Sequence, residues 1–307
     1  MRTTGPDAAR ASVSDSTSTQ RTHRYLRLAI GGTVVIILIS IALTVPAVGW
    51  LASISDYFYT PAHNAFVGAL IATSLALLAL SGRRAERTLL DAAALFAPLI
   101  ALVPSVIGPG SVPGVDAGCD KCVPAEFVPD VVNGVTTYLI VLAGILALGL
   151  VLSVVGVVRG ALVSLLLGAL VLLVVLVTGL VFPEVLLGWA HFLAATVFFG
   201  LIAADAILNA FWRTTSSTPP DWLRIVYIVI AGVLVADLIA LVAATIITSR
   251  DADEVFPWIL IGEAIALVAF LVFWWLQTWQ RWNEIDPASL APVPRRLPPL
   301  RGGSSAS

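Results

Sequence analysis

The sequence is poor in charge: Lys, Arg, Asp and Glu together make up 12% of its 307 residues, about half the proportion of an ordinary soluble domain. Lysine is almost missing, with Lys121 alone, and only two cysteines, Cys119 and Cys122, and three histidines, His23, His63 and His191, occur. A net charge of -2 excludes the basic stripe that would displace counterions from nucleic acid. No Walker-type phosphate loop, no G-x-S-x-G elbow and no H-E-x-x-H helix is present, so no enzyme class is indicated by a motif. What fills the chain instead is apolar: 59% of residues are hydrophobic, and they fall in runs without a polar face, which makes lipid the solvent of this fold.

A hydrocarbon core of ~30 Å needs ~20 apolar residues per helix. Eight stretches qualify, roughly 28–51, 64–80, 89–106, 134–158, 161–181, 185–211, 225–248 and 257–279. The expected fold is therefore all-α, a polytopic bundle of about eight transmembrane helices. Pro46 is expected to kink or end the first span, and Pro183 and Pro257 to mark helix starts, where a missing N–H does no harm. Residues 1–24, rich in Ser, Thr and Arg, read as a disordered tail, and residues 283–307, rich in Pro and ending Gly-Gly-Ser-Ser-Ala-Ser, as a second. Between them residues 25–282 form the membrane domain, with one long extracytoplasmic loop at 105–133. The first run is too long for a signal core and reads as an uncleaved span.

Placing the N-terminus inside puts 15 of the 17 basic residues on the inner side and leaves Lys121 and Arg250 outside, as the positive-inside rule demands. Both termini are then cytoplasmic in a multi-pass plasma-membrane protein. The tryptophans agree: Trp50, Trp189 and Trp258 fall at the outer interface, and Trp212, Trp222, Trp274, Trp275, Trp279 and Trp282 at the inner one.

All the basic residues lie outside the apolar runs, but three acids, Asp205, Asp237 and Glu263, lie well inside them, away from the first turn. A charged group at the bilayer centre costs at least ~2.5 kcal/mol, which makes these acids functional candidates. With no Lys or Arg in the spans, each acid is expected to be protonated, hydrogen-bonded to Ser, Thr or Asn, or hydrated. His191, Asp205 and Asn209 are 14 and 4 residues apart and so share a helix face. Asp56, His63, Glu184 and His191 form a second polar group near the outer span ends. His and carboxylate ligands with an open position describe a catalytic zinc site, for which Asp56, His63 and His191 are the candidates. The alternative is interfacial residues satisfied by water and headgroups. Cys119-Asp-Lys-Cys122 lies in the outer loop, where a local disulfide suits an oxidising compartment; redox-active, metal-bound and free thiols are the other states open to it.

The segment Ser53-Ile-Ser-Asp-Tyr-Phe-Tyr-Thr60 followed by Phe66-Val-Gly68 resembles one found in a family of uncharacterised bacterial multi-span membrane proteins. Cys122-Val-Pro-Ala-Glu-Phe-Val-Pro129 with Asn133, His191-Phe-Leu-Ala-Ala-Thr-Val-Phe-Phe199, and Trp258 with Glu263 extend the likeness over most of the chain. Members often carry Arg-Asp just before Phe-Val-Gly, where this chain has His63-Asn64 nearby. More distantly the arrangement is similar to DRAM and Sfk-like proteins and, loosely, to the CREST superfamily of membrane hydrolases and receptors. The CREST likeness implies a zinc held by three His with an Asp and a Ser beside it; of the three histidines here, His23 lies in the N-terminal tail. The resemblance implies a bacterial plasma membrane and no particular activity.

Three functions are compatible with these residues: a carboxylate-lined proton- or cation-linked transporter, a metal-dependent membrane hydrolase, and a non-catalytic protein that binds lipid or a partner. The last is favoured on sequence, because the polar residues in the spans are few and scattered. No cofactor is required by any motif, the bilayer is the one partner implied, and the sequence carries no sign of oligomeric state.

Overall fold

A computed structural model describes residues 6–80, 85–158, 160–211, 219–248 and 257–282 of the chain. It is an all-α bundle of eight helices: α1 Pro6–Val48, α2 His63–Ala79, α3 Ala85–Leu102, α4 Val128–Val154, α5 Leu162–Val181, α6 Pro183–Phe211, α7 Asp221–Thr248 and α8 Trp258–Gln280. The Val residues that recur through α5 would favour strands in water. In hydrocarbon every backbone N–H and C=O must be bonded internally, which a helix does within one segment, so the β preference is overridden. α5 has 20 residues, a length of ~30 Å, or one hydrocarbon thickness.

Among the described residues six helices are long and apolar enough to cross a membrane: the Gln20–Val48 part of α1, α4, α5, α6, the Asp221–Ala244 part of α7, and α8. This chain is a membrane protein of helical-bundle type. The second and third expected spans differ from these. α2 is apolar but has 17 residues, and α3 carries Glu86, Arg87 and Asp91 in its first two turns.

Helices α1, α2, α3, α6, α7 and α8 touch in that order, and α8 returns to α1, closing a ring. The α4–α5 hairpin leans on α3 and α6 from outside. One end of the bundle, where α1 finishes and α8 begins, carries the 103–127 loop and is called here the loop end; the opposite one, where α8 finishes, is the tail end. α3 is packed most tightly because Ala92, Ala93, Ala94, Ala97 and Ala101 are all buried, and small side chains let backbones approach. Pro98 lies within it and cannot donate to the carbonyl of Ala94. The Ser74 hydroxyl of α2 donates to that same Ala94 oxygen at 2.7 Å, so the helix loses no satisfied group.

Several boundaries depart from the sequence reading. α1 begins at Pro6, inside the segment expected to be disordered; Pro suits a first helical turn, and no Gly or further Pro interrupts the chain before Gly31. α4 begins at Val128, six residues before the expected start at Gly134, with Pro129 and Asp130 in its first turn, both favourable at a helix N-terminus. The long loop is correspondingly shorter. Pro183 opens α6 and Pro257 is the N-cap of α8, as expected. The turn from α4 to α5 uses Gly156 at φ 79°, a conformation costly for any residue with a Cβ. Trp50, Trp189 and Trp258 are exposed at the loop end and Trp222, Trp275, Trp279 and Trp282 at the tail end. Trp274 is instead 1% exposed and belongs to the core. Residues 283–307 lie outside the described residues, as do Trp212 and several of the basic residues used to orient the chain, Arg250 among them.

Candidate functional site

The chain between α1 and α2 does not skirt the loop end but enters it. Residues 53–60 are all buried. Gly49, at φ 80°, lets the backbone turn out of α1, and the Tyr57 hydroxyl donates to the Gly49 carbonyl at 3.0 Å, returning the segment to the helix it left. A short 3-10 helix, η1, covers Ser55–Tyr59. An aromatic cluster fixes it: Phe58 lies 4.2 Å from the His63 ring and Tyr59 4.9 Å from Phe127, while the Tyr59 hydroxyl donates to the Ser105 carbonyl at 2.6 Å.

Glu263 of α8 meets this segment from the opposite wall. Its carboxylate accepts from the Ser53 hydroxyl at 2.7 Å, the Ser55 hydroxyl at 2.7 Å and the backbone N–H groups of Ile54 and Ser55. His191 of α6 completes the arrangement, with Nε2 2.8 Å from the Ser55 hydroxyl and Nδ1 2.8 Å from the Val103 carbonyl. A carbonyl only accepts, so Nδ1 carries a proton. Ser55 has one proton and two neighbours. If it donates to Glu263, His191 Nε2 must be the donor to Ser55; if it donates to His191, Glu263 must be protonated. The Glu263–Ser55–His191 chain therefore holds one proton that either end can own.

Asp56 lies beside this chain, 6% exposed, accepting from the Ser105 hydroxyl at 3.0 Å. Burial is the main cause of its raised pKa, which reaches about 7, and the Glu263 charge adds to the rise; the Ser105 hydroxyl and the Ser53 backbone oppose it. Burial, with Asp56 as a smaller cause, raises the Tyr59 phenol as well, which leaves it a donor throughout the neutral range. Asp237 of α7 approaches through a gap: a methyl group at Gly262 would lie 3.0 Å from Asp237 Oδ1 and 2.6 Å from the Leu241 side chain. Asp56, Glu263 and Asp237 are in electrostatic range in sequence, Glu263 being common to both pairs.

The residues singled out from sequence are thus divided. Asp56 and His191 converge through Ser55. His63 is half-buried and turned away, its Nδ1 2.9 Å from the Phe58 carbonyl, and Glu184 is exposed in the first turn of α6. Among the described residues no three of His, Cys, Asp and Glu are grouped to hold a metal ion, and His63 is not brought to Asp56 and His191. Cys119 and Cys122 form a disulfide, in a loop held by a bridge between Ile107 and Cys122.

Asp205 belongs to the tail end. The expectation that no basic residue reaches the acids fails there. Arg281, just past α8, forms a buried ion pair with Glu86 of α3 at 2.6 Å and donates to Asn209 of α6. Asp205 is fully buried and in electrostatic range of Glu86, Arg281 and Arg27. Long Arg side chains reach back along helix ends, so a charge outside an apolar run in sequence can lie inside the bundle in space.

Ser53, Ser55, Ser105, Glu86 and Arg281 were not candidates on sequence. Serine is too common to carry a signal, and Glu86 and Arg281 read as loop charges. Comparison of the chain with protein-family models, with curated proteins and with solved structures gave no match.

Proposed function

We propose that this membrane protein is a proton-linked transporter whose loop-end carboxylates bind and pass protons. The observation that carries this reading is the Ser55 hydroxyl, within 2.8 Å of both Glu263 and His191. One proton moves along those two hydrogen bonds without displacement of any heavy atom. A second proton weakens the contact: with Glu263 and His191 both protonated, Glu263 keeps an acceptor oxygen for Ser55 but loses the charge that strengthens its bonds from Ser53, Ile54 and Ser55. Loading thus loosens the 53–60 segment from α8 and links proton binding to movement at the loop end. Asp56, with a pKa of about 7, supplies a neighbouring acceptor matched to neutral pH. With the termini cytoplasmic, the relay faces the outer side of the plasma membrane.

The same serine and histidine suit acyl transfer less well. His191 Nδ1 is oriented by a backbone carbonyl rather than an acid, and a carboxylate lies against the Ser55 hydroxyl where the developing oxyanion of a substrate would need donors. A second reading, passive binding of lipid or a partner, draws support from the α4–α5 hairpin. Four buried residues on α4, Val131, Val135, Tyr138 and Leu142, seat it, and the rest of its apolar surface is largely outward.

The test is flux in proteoliposomes under an imposed pH gradient, followed by an internal pH dye. The expected result is flux above protein-free liposomes, reduced at least tenfold by Glu263→Gln and by Ser55→Ala. No flux in the parent, in either direction of the gradient, removes transport and leaves passive binding.

A further inference from the structure

The tail end holds buried polar atoms that the loop-end relay does not use. Both oxygens of Asp205, both polar side-chain atoms of Gln277 and Nε1 of Trp274 are buried without a hydrogen-bond partner, on side chains no more than 1% exposed. Helix register brings two of these residues together. Phe198 of α6 meets Phe270 of α8 with ring centroids 5.6 Å apart, and eleven residues further along each chain Asn209 meets Arg281. Between those two contacts Asp205 and Gln277 each stand seven residues beyond their Phe, two helical turns on and on the same face. They are opposite one another and yet not bonded. Trp274 lies three residues, nearly one turn, before Gln277 on the same helix.

A buried water makes about three hydrogen bonds to groups the protein leaves unsatisfied. Five orphaned atoms therefore call for roughly two waters. We propose that Asp205, Gln277 and Trp274 enclose an internal water cluster, and that this cluster makes Asp205 a second, proton-exchanging site. Gln277 supplies both a donor and an acceptor, Trp274 a donor, and Asp205 the one group that changes charge. The groups facing it are Glu86 of α3, Arg281 beyond α8, Arg27 of α1 and Tyr227 of α7. Glu86 is neutralised by Arg281. A bound metal cation is disfavoured beside two guanidinium groups, whereas a proton on Asp205 needs only a water to bring it.

This site is independent of the loop-end relay, and its test uses no gradient. Infrared difference spectra of the full chain in lipid vesicles follow the carboxyl C=O stretch as pH is stepped, in H2O and after transfer to D2O. A titrating, deuterium-shifted band is expected, lost in Asp205→Asn and kept in Glu263→Gln. Gln277→Leu keeps Asp205 but removes two of the water's partners, and is expected to slow deuterium exchange of the band at least tenfold. The proposal is overturned if Asp205→Asn leaves every titrating band in place, if the band does not shift in D2O, or if exchange in Gln277→Leu matches the parent. Should Asp205→Asn fail to fold, the Gln277→Leu comparison decides. Added sodium is expected to leave the band unmoved, and displacement by sodium would overturn the proton assignment in favour of a cation site.

Discussion

The two ends of the bundle hold their acids by opposite means. At the tail end Glu86 is matched by a guanidinium, that of Arg281, with Arg27 also in electrostatic range of Asp205. At the loop end Glu263 is matched by hydroxyls, backbone N–H groups and one imidazole. Arginine keeps its charge at every pH a cell meets, so the Glu86–Arg281 pair is fixed. The loop-end arrangement has only protons with which to adjust its charge. Along α6 the two are 14 residues apart, from His191 to Asp205, or about 21 Å, and buried Ala194, Phe198 and Ile202 lie between them. The lesson is that a glutamate is held by a permanent counter-charge at one end and by hydroxyls, backbone N–H groups and an imidazole at the other, according to what the fold supplies.

The largest effect should come from breaking the tail-end pair. Arg281→Met is expected to lower stability by about 3–5 kcal/mol, because Glu86 would be left buried and unpaired. Glu86→Gln together with Arg281→Met should recover much of that loss. Thermal unfolding in detergent measures both, and a single variant as stable as the double one would contradict the pairing. Next, Glu263→Gln should cost about 2 kcal/mol, since a carboxamide replaces a charged acceptor and presents an N–H2 to donors.

A finer test concerns Asp56. Its pKa rises from 3.8 to about 7 on folding, so the folded state binds a proton more tightly than the unfolded one. The resulting stability is present below pH 3.8 and is lost as pH rises through about 7. Asp56→Asn should flatten the slope of melting temperature against pH in that interval; an unchanged slope would place the titration elsewhere. Smallest of all, Glu184→Gln on the exposed first turn of α6 should change stability by less than about 0.5 kcal/mol and leave proton flux at the parental rate.

The helices were legible because a run of ~20 apolar residues has few other fates, and the acids because each interrupts such a run. The location of α2 and α3 inside the ring was not legible, since apolarity reports burial without saying whether lipid or protein does the burying. Glu86 and Arg281 escaped for a related reason. Both stand at run edges, where a linear reading places water, and only the packing of α3 against α6 with the end of α8 encloses them. Ser55 matters through its place between Glu263 and His191, 208 and 136 residues away, and nothing local in the chain marks that meeting.

The carbonyl that Pro98 releases has a mechanical consequence. Because the Ser74 hydroxyl occupies it, α3 cannot slide past α2 without leaving a bare oxygen in an apolar interior, a cost of about 1–3 kcal/mol. That bond ties the two helices together. Val103, directly after α3, holds His191, and the segment that carries Ser55 runs directly into α2, so one wall of the loop end is built on this pair. Under the proposed transport function, opening is expected at the seam with α8, where Glu263 bonds the 53–60 segment. A disulfide clamp engineered between α2 and α3 should leave proton flux intact, and one between α8 and the 53–60 segment should stop it.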